Sequence, residues 1–189
     1  MTAYEDTTDL HFYDDPAFSG TLFGCPSVFL AGPSSEARWR PDAVRLLRTN
    51  GFTGLIIIPE FRSGVFDKSR FDDSQPSTIP GMSRSSQRIM QWETTCIENA
   101  AIMLAWMPYT GFDDPRHWTG LSTRGEVARA IESDQRRPGL VLGMPPDAFR
   151  SGQDRYHAHR RGVPIYPTLD EACARVAELS IDWPYSVHG

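Results

Sequence analysis

Gln91-Trp92-Glu93, in the middle of the chain, precedes the apolar run Ala-Ala-Ile-Met-Leu-Ala-Trp at positions 100–106, and Ser122-Thr123-Arg124-Gly125-Glu126 follows after a polar stretch. A short apolar run between polar segments is typical of a buried strand. The segments on either side have the spacing of helices. This order predicts helix, strand, loop and helix, with one carboxylate on each helix, Glu93 and Glu126.

The same alternation of strands and helices extends along most of the chain. Apolar runs predict strands at 27–31, 54–58, 102–106, 140–142 and 163–166, and helices are predicted at about 41–50, 85–99, 124–133, 154–161 and 170–179. This alternation is typical of an α/β fold in which helices cover both faces of a parallel sheet. Ligands of such sheets bind outside the carboxyl ends of the strands, where the strand order reverses.

Two segments have no clear period. Residues 1–26 carry aromatic side chains among acids and turn formers, and residues 61–84 are rich in Ser, Asp, Pro and Gly. A connection as long as the second is typically a lid, a binding loop or disordered. We therefore expect one domain over 27–189, preceded by an N-terminal arm over 1–26 that packs on the core or on another subunit.

Composition and charge exclude several classes of protein. The 189 residues suffice for one sizeable α/β core, and no apolar stretch approaches the length of a membrane span. The formal net charge of -5 argues against binding to nucleic-acid polymers. The acidic, polar N-terminus lacks the features of a secretory signal, so we expect a cytoplasmic location. Cys25, Cys96 and Cys173 lie far apart without metal-ligand spacing, which predicts buried thiols and no metal site.

Glu126 is the strongest candidate for a reactive group. Breaking an N-glycosidic bond develops positive charge at the anomeric carbon of the sugar, and a carboxylate beneath that carbon stabilises the charge or traps it covalently. A position near a helix N-terminus would favour the ionised carboxylate. The alternative is a capping box formed by Thr123 and Glu126, a spacing that recurs at Thr168 and Glu171.

Glu93 is the second candidate acid. A parallel connection can bring its helix to the same crevice, where a carboxyl group can hydrogen-bond the departing base or position the sugar. The alternative is an ordinary surface Glu on an amphipathic helix.

Further residues are candidates for substrate binding. The small-residue loop Gly32-Pro33-Ser34-Ser35 follows a strand, so its amides and hydroxyls can contact a sugar or phosphate, although a simple tight turn has the same composition. Asp114 can bind ribose hydroxyls or shape a turn. Among the aromatic residues Trp39, Phe61, Trp106 and Trp118, most are expected in the core, and Trp118 in its polar loop is the best candidate for stacking on a base.

Several of these features together resemble the nucleoside 2-deoxyribosyltransferase-like family over about 27–180. They are Phe-Leu-Ala-Gly-Pro at 29–33, Trp92-Glu93, the strand from Ala100, and Glu126. The resemblance implies a flavodoxin-like, Rossmann-like three-layer fold with a five-stranded parallel sheet and no metal or organic cofactor. It also implies that Glu126 is the nucleophile and that Glu93 helps to bind substrate and assist the base. Trp92 and Thr123, which accompany these acids, are counted among the substrate-binding residues.

The reaction implied by the resemblance is cleavage of the N-glycosidic bond of a nucleoside or nucleotide, or its exchange for a second base. Family members usually form homo-oligomers, so a small-molecule nucleoside and further copies of the chain are the expected partners. One departure from the family is that no acid closely precedes Glu126, the nearest being Asp114. Two alternatives therefore stay open: a glycohydrolase of a dinucleotide such as NAD, and a catalytically inactive nucleotide-binding module.

Overall fold

The computed structural model describes residues 4, 9–17, 26–33, 39–63, 76–108, 121–132, 139–148 and 151–181, with the side chains of 121–124 and 132 left aside. Within these ranges the chain forms six strands and five helices. In order they are β1 Leu10–His11, β2 Ser27–Ala31, α1 Trp39–Thr49, β3 Leu55–Ile57, α2 Arg84–Asn99, β4 Ile102–Trp106, α3 Leu121–Glu132, β5 Leu140–Gly143, α4 Gly152–Arg161, β6 Ile165–Tyr166 and α5 Leu169–Ile181.

The strands form one parallel sheet in the order β1-β3-β2-β4-β5-β6. Buried side chains of α1 and α5 pack in one hydrophobic cluster, and those of α2, α3 and α4 pack in a second cluster. Successive side chains of β2 lie on opposite faces of the sheet, so Val28 belongs to the first cluster and Phe29 to the second. The predicted α/β fold with helices on both faces of a parallel sheet is therefore confirmed.

The expected number of five strands is wrong, because β1 adds a sixth. Leu10 and His11 pair with Ile56 and Ile57 of β3 at the edge of the sheet. A strand of two residues is too short to show an alternating pattern, which is why the sequence of the N-terminal segment did not indicate it. The chain leaves β1 through Phe12 and Tyr13, both of which are buried.

All five helices begin one to three residues earlier than their sequences indicated. Helix α1 begins at Trp39 rather than near Pro41, and α3 begins at Leu121 rather than near Arg124. Thr123 is consequently the third residue of α3 and Glu126 the sixth. An N-cap residue lies outside the helical conformation, so the capping box is wrong, and so is the placement of Glu126 near the helix N-terminus.

The order of the strands reverses between β2 and β4, and Gly32 lies there at the carboxyl end of β2. A Cβ atom on Gly32 would lie 2.5 Å from Cζ2 of Trp39 and 2.7 Å from the carbonyl oxygen of Trp106. The second contact is with backbone, which cannot move aside as a flexible side chain can. Only glycine allows β2, α1 and β4 to approach so closely at this position.

Replacing Gly32 with Ala is therefore expected to lower the free energy of unfolding by about 1–3 kcal/mol, the usual effect of overpacking. Urea denaturation measures the change. Gly152→Ala is the matched control, since a Cβ there has no neighbouring atom within 4 Å, and it should alter stability by no more than about 0.5 kcal/mol. Equal effects of the two substitutions would contradict the close approach at Gly32.

Two other expectations concern membranes and thiols. In the part of the chain that the structure describes, no helix combines the length and the apolar character needed to cross a membrane. Cys96 and Cys173 are free thiols and buried, as predicted, and burial raises the pKa of Cys173 to about 12. Cys25 lies outside the described residues.

Candidate active site

Five ionisable side chains from separate segments of the chain form one electrostatic cluster around Arg40. Tyr13 follows β1, Arg40 lies in the first turn of α1, and Glu60 follows β3, while Glu93 and Glu126 come from α2 and α3. The segments after β1 and β3 are joined by a backbone hydrogen bond from the Tyr13 amide to the Glu60 carbonyl oxygen, 2.9 Å long. Because both strands are parallel, these segments leave the sheet at its carboxyl edge, where ligands of such folds bind.

Arg40 is the buried cation of this cluster, with only 2% of its surface exposed. Its Nη1 donates to the Glu60 carboxylate at 2.6 Å and its Nη2 to the Gly32 carbonyl oxygen at 2.6 Å. A longer bond of 3.4 Å joins Nε to the carbonyl oxygen of Leu30. A buried charge requires such partners to offset the loss of hydration. Arg40 therefore connects the end of β2 to the end of β3.

Tyr13 holds the first of the two predicted acids. Its hydroxyl donates a short hydrogen bond to Oε1 of Glu93. Burial raises the pKa of Tyr13 well above its usual range, and the adjacent Glu93 carboxylate raises it further. The phenol therefore remains a hydrogen-bond donor at all physiological pH values, and it orients the carboxylate on α2.

Glu93 and Glu126 both have raised pKa values. Burial is the main cause for each; for Glu93 it is opposed by the Tyr13 hydrogen bond and by the positive charge of Arg40. For Glu126, burial and the negative charge of Glu93 raise the pKa to about 7, against the opposing charges of Arg129 and Arg40. The two acids are thus close enough to act on one another, and among the described residues none forms a hydrogen bond with the Glu126 carboxylate.

This arrangement can support acid–base catalysis, and it can also stabilise positive charge on a bound molecule. Two nearby carboxyl groups with raised pKa values can share the roles of proton donor and anion near neutral pH. Three carboxylates face the single buried cation Arg40, so the cluster has an excess of negative charge when they are ionised. Such a site stabilises positive charge that develops on a bound molecule. In the described ranges, no group of three or more His, Cys, Asp or Glu side chains is arranged to hold a metal ion.

The predicted small-residue loop begins beside this cluster, and the carbonyl oxygens of its two described residues make structural contacts. The carbonyl oxygen of Gly32 accepts from Arg40, and that of Pro33 accepts from Nε1 of Trp39 at 3.2 Å. Both residues are buried. Four other predicted binding residues, Ser34, Ser35, Asp114 and Trp118, lie outside the described residues, as does the side chain of Thr123.

Trp92, another predicted binding residue, is buried against the segment that follows β1. Its Nε1 donates to the Asp15 carbonyl oxygen at 3.1 Å. Its ring stacks on His11 with the centroids 5.9 Å apart and meets the edge of Tyr13 at 4.8 Å. Of the other aromatic candidates, Trp39 and Trp106 are in the core, as expected.

A cavity of about 610 Å³ lies on the other side of Tyr13 and Trp92. It is lined by Tyr13, Asp14, Asp15, Pro16, Ala17, Phe61, Arg88, Gln91, Trp92 and Thr95. Neither Glu93 nor Glu126 belongs to this lining. Tyr13 is common to both features, since its ring borders the cavity while its hydroxyl reaches Glu93.

Sequence reasoning found the two acids and Trp92 but missed Tyr13, Arg40 and Glu60. Tyr13 lies in a segment without a recognisable pattern, and a charged residue at the start of a helix is normally exposed. Only Glu60 gave a usable signal, because it closely follows a buried strand of a parallel sheet, where functional side chains concentrate.

Comparison with known proteins gives no match, either to a family model or to a curated sequence.

Proposed function

We propose that the protein cleaves or exchanges the N-glycosidic bond of a nucleoside or nucleotide, with Glu126 as nucleophile and Glu93 as the assisting acid. The observation that carries the proposal is the electrostatic interaction between these two partly buried carboxyl groups, which come from different helices and both interact with the charge of Arg40. The resemblance to the nucleoside 2-deoxyribosyltransferase-like family supplies the class of substrate.

The charge balance of the cluster favours this chemistry. The transition state of glycosidic cleavage has positive charge on the sugar. When ionised, Glu60, Glu93 and Glu126 together provide more negative charge than Arg40 and Arg129 neutralise, and the partly buried position strengthens the attraction. The same surroundings raise the energy of ionised Glu126 before substrate binds, and a cationic sugar relieves this unfavourable interaction.

The proposed reaction has two displacement steps. In the first, a carboxylate oxygen of Glu126 forms a bond to C1′ as the bond from C1′ to the base nitrogen breaks, and the electron pair leaves with the base, which takes a proton from Glu93. In the second, a nitrogen of another base or the oxygen of water attacks C1′, its proton passes to Glu93, and the Glu126 carboxylate is released. Attack by a second base completes a transfer, and attack by water completes a hydrolysis.

Incubation with a panel of deoxynucleosides, ribonucleosides and their monophosphates, with and without an acceptor base, tests the proposal. Release or exchange of base is measured by chromatography. A 2-fluoro-2-deoxy nucleoside should slow the second step, so that mass spectrometry of the digested protein finds the sugar attached to the peptide that contains Glu126. Absence of any base release, or attachment of the sugar elsewhere, would contradict the assignment.

Two other outcomes of this panel correspond to the alternatives. If NAD is included, release of nicotinamide without cleavage of nucleosides indicates a dinucleotide glycohydrolase. Ligand-dependent thermal stabilisation with no product from any compound indicates a binding module without catalysis.

The pH dependence of kcat/KM is a direct test of the role of Glu126. A nucleophile must be ionised, and the pKa of Glu126 in the free protein is about 7. We therefore expect kcat/KM to rise about tenfold per pH unit at acidic pH and, because Glu93 must be protonated while Glu126 is ionised, to fall above pH 7, where both carboxyl groups are ionised. The measurement is a pH–rate profile from pH 5 to 9 with a buffer series of constant ionic strength. A profile that stays level above pH 7 would mean that no protonated carboxyl group is needed and would contradict the proposed pairing of the two acids.

A further inference from the structure

The cavity beside Tyr13 has the size and position of a small-molecule site. Its volume of about 610 Å³ falls within the range of roughly 300–1,000 Å³ that is usual for ligand pockets. It opens between α2 and the segment that leaves β1, at the edge of the sheet. The reaction proposed at Glu93 and Glu126 does not by itself assign a role to this cavity.

One wall of the cavity is aromatic and firmly held. Tyr13, Phe61 and Trp92 are all buried, with the Tyr13 and Phe61 centroids 5.5 Å apart. The hydrogen bond of Trp92 to Asp15 and its stacking on His11 fix the indole from two sides. Tyr13, Phe61 and Trp92 are each less than a tenth exposed, so together they give the cavity a small, rigid apolar surface against which a flat molecule can lie.

The other wall carries polar groups in one row along α2. Arg88, Gln91 and Thr95 share a helix face with Trp92, because residues three, four and seven positions apart lie above one another. Within the described ranges, no residue forms a hydrogen bond or ion pair with the side chains of Arg88, Gln91 or Thr95. They are therefore available to a bound molecule.

The acids that border the cavity differ from this row, because both already have partners in the structure. The Asp15 carboxylate accepts from Nη2 of Arg62 at 3.0 Å and from the Phe12 amide at 2.8 Å. The Asp14 carboxylate accepts from the Arg62 amide at 2.8 Å. Their contacts hold the segment after β1 in place, so recognition of a ligand falls to the row on α2.

We propose that this cavity is the nucleobase site of the protein, in which a purine or pyrimidine lies against Tyr13, Phe61 and Trp92 and presents its polar edge to Gln91 and Thr95. A side-chain amide donates and accepts at once, which suits the adjacent donor and acceptor groups of a base edge. Tyr13 separates the base from Glu93, so the proton that the base takes passes through the Tyr13 hydroxyl, which receives one from Glu93 as it gives its own to the base. The identity of the ligand rests on the proposed function.

Calorimetric titration of the intact protein with free adenine and with free cytosine tests this inference. A free base has no glycosidic bond, so binding is measured without turnover. We expect saturable binding of at least one base, weakened about tenfold or more in Gln91→Leu and in Thr95→Val, since each loses one hydrogen bond. Met90→Ala is the matched control, because Met90 is exposed on the same helix but does not line the cavity, and it should leave the affinity unchanged.

The outcomes separate this inference from the proposed function. If neither base binds, or if Gln91→Leu and Thr95→Val bind as the unmodified protein does, the base site is wrong, whatever the activity at Glu126. If the bases bind as expected but Glu126→Gln keeps its turnover, the base site stands and the nucleophile is wrong. In an active enzyme, Gln91→Leu should raise KM for a nucleoside much more than it lowers kcat, which a purely structural role of Gln91 does not explain.

Discussion

Glu126→Gln is expected to lose turnover by roughly 10⁴-fold or more, because an amide cannot form the glycosyl ester through which the reaction is proposed to pass. The same substitution is expected to make the protein more stable at alkaline pH. A variant that is better folded but inactive would separate a catalytic role from a structural one.

The gain in stability follows from the pKa of Glu126. The usual value is 4.5, and in the folded protein it is raised to about 7. Between these values the folded state binds more protons than the unfolded state, so the free energy of unfolding falls as pH rises. Above pH 7 the ionised carboxylate destabilises the fold by up to about 3 kcal/mol. Gln carries no charge and avoids this loss.

Urea denaturation at pH 4.5 and pH 8, beside the activity assay, provides the measurement. Glu126→Gln should match the unmodified protein at the lower pH and exceed it at the higher. Glu98→Gln, an exposed position on α2, is the control and should change neither property. A stability difference that is independent of pH would mean that the Glu126 carboxylate is not in the surroundings described above, and retained turnover would exclude it as nucleophile.

Sequence patterns predicted the strands and helices whose local pattern fits only one kind of secondary structure. Strands β2 and β4 have the predicted bounds because each is a short apolar run closed by a nearby proline, Pro33 after β2 and Pro108 after β4, and the whole of each is buried. Helix α2 differs from its prediction by one residue at the start, since Ser83 caps it through the Ser86 amide. Local pattern and tertiary burial agree in these elements.

The candidate site was only partly predictable because it depends on contacts between distant segments. Tyr13 and Glu93 are 80 positions apart, and Arg40 and Glu60 are 20 apart. No local pattern distinguishes a buried Arg that binds two strand ends from an exposed one. The start of α3 was misjudged because Thr123 and Glu126 have the spacing of a capping box, yet the helix already includes both residues.

Arg40→Met is expected to lower the free energy of unfolding by about 3–5 kcal/mol at pH 8, the usual effect of removing one partner of a buried ion pair. Methionine fills much of the same volume but leaves Oε1 of Glu60 and the Gly32 carbonyl oxygen without their donor, while Oε2 of Glu60 keeps its hydrogen bond from the Tyr4 hydroxyl. It also removes a positive charge that lowers the pKa values of Glu93 and Glu126. Loss of stability should therefore be smaller at pH 5, where more of these carboxyl groups are protonated.

Three further variants identify the cause of this loss. Arg45→Met, on the same helix but 65% exposed in its side chain, should change stability by no more than about 0.5 kcal/mol. Arg40→Lys keeps the charge without the planar fork, so its stability should lie between those of Arg40→Met and the unmodified protein. Adding Glu60→Gln to Arg40→Met should recover part of the loss, because no unpaired carboxylate then remains. If the double variant is as unstable as the sum of its two single variants, the ion pair does not hold the ends of β2 and β3 together. Any activity left in Arg40→Lys should begin to fall at the same pH as in the unmodified protein, whereas in Arg40→Met the fall should begin at higher pH.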